Sequence, residues 1–113
     1  MQIKITRRKR LLSVGNSWSD YINYWLINGQ IVNDENTFFK RFKFVAAVNF
    51  SADGWDEEEQ REKTEPEMLE EIEFCYLDLI RSFDDCAEFF DVCNQSIESY
   101  NDDMRRLPIC NFA

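Results

Sequence analysis

From Leu69 to Met104 the apolar side chains recur at alternating spacings of three and four: Leu69, Ile72, Tyr76, Leu79, Phe83, Cys86, Phe90, Cys93, Ile97, Tyr100 and Met104. Such a 3-4 repeat keeps one face of an α-helix apolar, and held without interruption it forms a heptad seam. Between Pro66 and Leu107 there is no further Gly or Pro to break it. Thr64, followed three residues later by Glu67, has the form of a capping box, and Pro66 suits a first helical turn. One helix running to about Asp103 would be about 57 Å long. Ser82-Phe83-Asp84-Asp85 also reads as a helix start, so a break near 81–83 is the alternative. Leu107-Pro108 closes the segment.

The first half carries weaker patterns. Ile3 and Ile5 alternate with Lys4 and Thr6, which predicts a short N-terminal strand. Gly15-Asn16-Ser17 reads as a turn. Trp18, Tyr21, Ile22, Trp25 and Leu26 then fall on one helical stripe. A helix over 18–28 is predicted, capped by Ser17 or Ser19, with Gly29 beyond its end. Residues 37–50 fit two readings. As a helix capped by Asn36, they place Phe38, Phe39, Phe42, Val45, Ala46 and Asn49 on one face. As a strand, Phe42, Phe44, Ala46, Val48 and Phe50 alternate with Lys43, Val45, Ala47 and Asn49. Length and the cap point to helix; aromatic content points to strand. Residues 56–65 are strongly polar and read as an exposed loop or a frayed helical turn, with Trp55 as its anchor.

These elements sum to a mainly α fold with α+β as the alternative: a helical bundle built on one long C-terminal helix, with a short N-terminal strand. The length of 113 residues fits a single domain, 1–113. It divides into a basic, aromatic half (1–52), an acidic loop (53–65) and a long acidic helix (66–107). Aromatic residues at Tyr76, Phe83 and Phe90 suit shorter helices packing on this spine better than a parallel two-stranded zipper. Pairing of the seam with a second copy, giving a homodimer, is the alternative.

Charge changes the picture more than composition does. Residues 1–52 hold eight Lys/Arg against three Asp/Glu, +5, and residues 53–113 hold five against nineteen, −14. The net charge is −9, and a half as acidic as the second repels nucleic acid and anionic membranes and attracts basic surfaces. Arg7-Arg8-Lys9-Arg10 could touch nucleic acid or clamp the chain's own acids, and the acidic second half favours the internal partner. Lys40, Arg41 and Lys43 form a second basic group. No apolar run is long enough for a membrane span, and Leu11-Leu12 is too short for a signal peptide core, so a cytoplasmic protein is expected. Cys75, Cys86, Cys93 and Cys110 are then expected as reduced, buried thiols.

On the seam's outer side stand Glu70, Glu71, Asp78, Asp84, Asp85, Glu88, Asp91, Glu98 and Asp102, against Arg81 alone. Phe74 and Leu77 sit among them. Carboxylates without opposite charges at i,i+4 repel one another, and an aromatic on a charged face is either covered or an interface anchor. The candidate partner-binding residues are therefore Glu70, Glu71, Phe74, Leu77, Asp78, Asp84, Asp85, Glu88 and Asp91. A file of carboxylates can occupy a groove built for a phosphate backbone.

Nothing points to catalysis. The chain has no His, its three glycines are isolated, and no nucleophile motif or C-x-x-C pair is present. No cofactor and no metal are expected. In size, acidity and lack of catalytic motifs the chain resembles phage-encoded anti-defence inhibitors, including the anti-CRISPR proteins, and more loosely toxin-immunity proteins. The resemblance implies a stoichiometric, non-enzymatic inhibitor acting in the host cytoplasm by nucleic-acid mimicry. Its partner would be a protein with a basic surface, such as a Cas effector, with no direct nucleic-acid contact. A helix-pairing structural or regulatory dimer is the alternative function.

Overall fold

The computed structural model describes residues 2–17, 20–33, 35, 39–49, 54–82, 86–106 and 109–110. The protein is α+β, not a helical bundle. Its strands are β1 (Gln2–Arg10), β2 (Ser13–Ser17), β3 (Asp20–Val32), β4 (Phe39–Asn49), β5 (Trp55–Asp56), β6 (Arg61–Glu62) and β7 (Ile109–Cys110). Two helices, α1 (Glu65–Ser82) and α2 (Ala87–Arg106), lie between β6 and β7.

β3 is the centre. β4 pairs along one of its edges from Ile22 to Val32. β1 and β2 lie end to end along the other, β1 against Trp25–Val32 and β2 against Asp20–Ile22. Leu11 N–H, at their joint, donates to Tyr24 O (2.8 Å). The antiparallel sheet has five strands but is three wide over most of its length, because β1 and β2 share an edge and β7 adds only two residues beside β2. β5 and β6 form a separate two-stranded hairpin.

The helix expected over 18–28 is therefore strand, for a physical reason. A central strand covered on both faces shows no apolar–polar alternation, so Tyr21, Ile22, Trp25 and Leu26 fall at helical spacing within a strand, while Trp18 lies outside the described residues. Register separates them. Trp25, Ile27 and Ile31 face one side with Phe42, Phe44 and Ala46, where Met68, Leu69 and Ile80 of α1 close the main core. Tyr24, Leu26 and Val45 face the other side, under Ile97, Tyr100 and Met104 of α2. β-branched and aromatic side chains then favour the strand. Residues 39–49 take the alternating reading too: Phe42, Phe44, Ala46 and Val48 are buried while Lys43 and Ala47 are exposed. The expected caps Ser19 and Asn36 lie outside the described residues.

The single long helix is also two. α1 ends at Ser82, and Cys86 takes a left-handed backbone (φ 62°) before α2 begins. Residues with a Cβ adopt that conformation only at special points, here where the chain changes direction. The capping box is present as predicted: Thr64 N–H donates to Glu67 Oε1 (3.3 Å) and Glu67 N–H to Thr64 Oγ1 (3.4 Å).

The break lets the seam serve both faces of the sheet. Phe89, Phe90 and Cys93 at the start of α2 join the core on the α1 side. Ile97, Tyr100 and Met104 further along reach the opposite face. α2 thus passes beside β4, and at the crossing Val45 N–H donates to Ser96 Oγ (2.9 Å). An exposed strand edge invites pairing with other chains; this one is covered by a helix. Ser96 Oγ in turn donates to Cys93 O (2.6 Å), and Tyr24 O–H donates to Asp103 further along α2.

Gly29 sits directly opposite Phe42, whose ring lies over it. A Cβ there would meet Phe42 Cζ at 2.2 Å and Lys4 O at 2.7 Å. Gly29→Ala is expected to lower stability by about 1–3 kcal/mol, the usual range for overpacking. A urea denaturation midpoint unchanged from wild type would contradict this packing.

Candidate functional site

Two charged surfaces result, on opposite sides of the sheet. The first is the outer side of α1. Glu70, Glu71, Phe74, Cys75 and Asp78 are exposed there, and Phe74 is the most exposed large apolar residue of the described chain at 61 %. Glu67, Glu70, Glu71, Phe74 and Cys75 line a shallow groove. Glu88 and Asp91 are exposed on α2. They share no helix with Glu70 and Glu71, so the expected continuous file of acids is divided by the break. Leu77 is half-buried against the core, not displayed. Asp84 and Asp85 lie outside the described residues.

Arg7-Arg8-Lys9-Arg10 is expected to clamp the chain's own acids. Among the described residues, one does so by contact: Arg8 Nε donates to Glu73 Oε1 (2.6 Å) and Nη2 to Oε2 (2.8 Å). Glu73 is buried at 3 % exposure on the sheet-facing side of α1, while the Arg8 side chain is half exposed. This planar, two-pronged pair is the geometry guanidinium and carboxylate favour. The Glu73 hydrogen bond raises the Arg8 pKa, and Glu70 adds a weaker electrostatic contribution. Glu73 is absent from the sequence-based candidates, because the heptad register places it beside the seam. The stripe Leu69, Ile72, Glu73, Tyr76 and Ile80 is the signal that marks it as inward.

The acidic loop supplies the remaining cations near α1. Arg61 Nη2 pairs with Glu67 (2.7 Å) and Lys63 Nζ with Glu71 (3.1 Å). Exposed pairs of this kind contribute little to stability and exchange readily for other partners. Among the described residues, no ion pair forms at Glu70, Glu88, Asp91 or Glu98. Trp55, expected as a loop anchor, is half exposed.

The second surface is the sheet face away from α1. Strand alternation and a register shift between Ile5 and Arg7 place Lys4, Arg7 and Lys9 on it, with Arg41 and Lys43 of β4. Lys40 faces the other way, over the Phe90 ring at 4.3 Å.

The thiols differ from expectation in two cases, Cys75 and the half-buried Cys86. Cys93 is buried, and burial pushes its pKa up to about 12. Cys75 is exposed on the outer side of α1. The Cys110 side chain lies outside the described residues. Among those described, no group of Cys, Asp and Glu could hold a metal ion, and no helix is long and apolar enough to cross a membrane.

The site thus defines an α+β protein with two charged faces. Comparison with known proteins gives no match: no family model, no curated protein and no solved structure matches the chain.

Two measurements check this arrangement. In the native protein a thiol reagent should modify Cys75 rapidly and leave Cys93 untouched; fast labelling of Cys93 would contradict its burial. Arg61 and the Thr64 cap hold the Glu67 carboxyl down at about 2 against an ordinary 4.5. A depressed carboxyl stabilises the fold above its unfolded pKa and loses that contribution as pH falls through the folded one. The stability advantage of wild type over Glu67→Gln should therefore be complete above about pH 5 and fade between about pH 4.5 and 2. An advantage that is flat across that window would contradict the pairing.

Proposed function

We propose that the protein is a stoichiometric, non-enzymatic inhibitor. The outer side of α1 docks on a basic, nucleic-acid-binding surface of a partner protein and occupies it in place of nucleic acid. The observation that carries this reading is Phe74, 61 % exposed within a rim of Glu67, Glu70, Glu71 and Asp78. A lone exposed aromatic ringed by charge has the composition of an interface hot spot: an apolar anchor that desolvates, with a polar rim that steers. The acidic second half supplies long-range attraction toward a positive groove.

The resemblance in size and acidity to phage-encoded anti-CRISPR proteins suggests the target class, a Cas-type nuclease complex in the host cytoplasm. A toxin-immunity role would use the same face on a different target. The helix-pairing dimer draws no support from the seam, since Leu69, Ile72, Tyr76, Phe90 and Cys93 already pack in the chain's own core.

Added salt should weaken the complex. Phe74→Ala should reduce binding roughly 30-fold, the effect of losing about 2 kcal/mol at a hot spot. Glu70→Lys with Glu71→Lys should abolish competition with nucleic acid while the circular dichroism spectrum stays native. Inhibition unaffected by either change would remove this reading.

A further inference from the structure

The sheet face opposite α1 carries an ordered array of cations that the inhibitor reading does not use. Register aligns them in two cross-strand rungs. Lys4 lies opposite Gln30, which lies opposite Arg41; Arg7 lies opposite Asn28, which lies opposite Lys43. Each rung reads cation, amide, cation. Lys9 continues the β1 row opposite Leu26, where the cover of α2 begins. Neighbouring rungs are about 7 Å apart and each is about 10 Å wide, from strand geometry.

All five cations are exposed, and the amides between them are half-buried. Among the described residues, none of Lys4, Arg7, Lys9 and Lys43 makes an ion pair. None of the sheet residues facing this side is acidic, from Gln2 to Lys9, Ile22 to Val32 and Arg41 to Asn49. The array depends on the extra residue in β1. Ile5 is opposite Gly29 and Arg7 opposite Asn28, so Thr6 is the inserted position. Thr6 Oγ1 donates to Asn28 O (3.3 Å) there. The bulge reverses the alternation, turning Arg7 and Lys9 to the same side as Lys4 and sending only Arg8 and Arg10 toward the α1 side.

We infer that this face binds the phosphodiester backbone of a nucleic acid, independently of sequence. Arginine in each rung offers a planar fork that matches phosphate, and the lysines add point charge. Asn28 and Gln30 place hydrogen-bonding amides between the cations, where bridging phosphate oxygens would lie. The rungs carry no aromatic on which a base could stack, so base identity goes unread. They carry no apolar anchor either, and a protein partner would require one. The inference stands apart from the inhibitor reading, which uses the other side of the molecule.

The test is fluorescence anisotropy of a labelled single-stranded oligonucleotide and its duplex, with the full-length protein. Both should bind at low salt. Four to five neutralised phosphates make affinity fall roughly 50-fold or more between about 50 and 200 mM salt. Arg7→Gln with Lys43→Gln should flatten the logarithmic salt slope by about 1.4, since each lost contact removes about 0.7 for a single strand. Phe74→Ala should leave that slope unchanged, which separates this face from the inhibitory one. No binding at low salt, or binding indifferent to Arg7→Gln and Lys43→Gln in a protein with native circular dichroism, would overturn the inference. So would polyglutamate competing as well as the oligonucleotide, or binding of a second copy of the chain in its place.

Discussion

A buried carboxylate fixes the register of this protein. Glu73 is almost wholly removed from water, beneath β1 on the core-facing side of α1. Burying such a charge alone costs several kcal/mol, which only a well-placed partner offsets. Arg8 is that partner, through two hydrogen bonds of 2.6 and 2.8 Å. Strand periodicity makes the arrangement all-or-none. A slip of one residue in the second half of β1 would turn Arg8 to the open face and swing Arg7 and Lys9 inward in its place. The extra residue at Thr6 therefore sorts the basic run into an inner clamp and an outer array.

The helical seam is the second constraint. Over Leu69 to Met104 its periodicity is unbroken, yet a straight rod could cover only one side of the sheet. Ending α1 at Ser82 and turning at Cys86 allows the second half of the seam to pass beside β4 and cap the far face. Ser96 marks the crossing, holding Val45 N–H at the strand edge. The same apolar pattern thus supplies cover for both faces of a central strand.

These two constraints explain what could be read from the chain. The Thr64–Glu67 cap was legible because it is purely local. So were the alternation at Ile3 and Ile5, and the strand reading of Phe42 to Val48 that competed with the helix. The helical stripe at Trp18 to Leu26 misled because a strand buried on both faces loses its own periodicity. Glu73 was missed and Leu77 misplaced because a strict heptad seam is narrower than the apolar stripe of a helix packed on a sheet. The bulge at Thr6 has no sequence mark beyond a threonine, and with it went the correct sorting of Arg7, Arg8, Lys9 and Arg10. Of the proposed docking residues, Glu70, Glu71, Phe74 and Asp78 do share an exposed surface, whereas Glu88 and Asp91 belong to another helix.

A net charge of −9 hides a molecule with two unlike sides. One carries carboxylates around Phe74 and the other carries two rungs of cations. The second follows from the bulge at Thr6, which turns Arg8 and Arg10 inward and leaves Arg7 and Lys9 on the open face. The most direct test is a double-mutant cycle on stability with Arg8→Ala and Glu73→Ala. Contact through a buried carboxylate predicts a coupling of about 1 kcal/mol or more, with the double variant more stable than the sum of the single losses implies. Additive losses, within about 0.3–0.5 kcal/mol, would mean that the two side chains do not meet and that the register assigned to β1 is wrong.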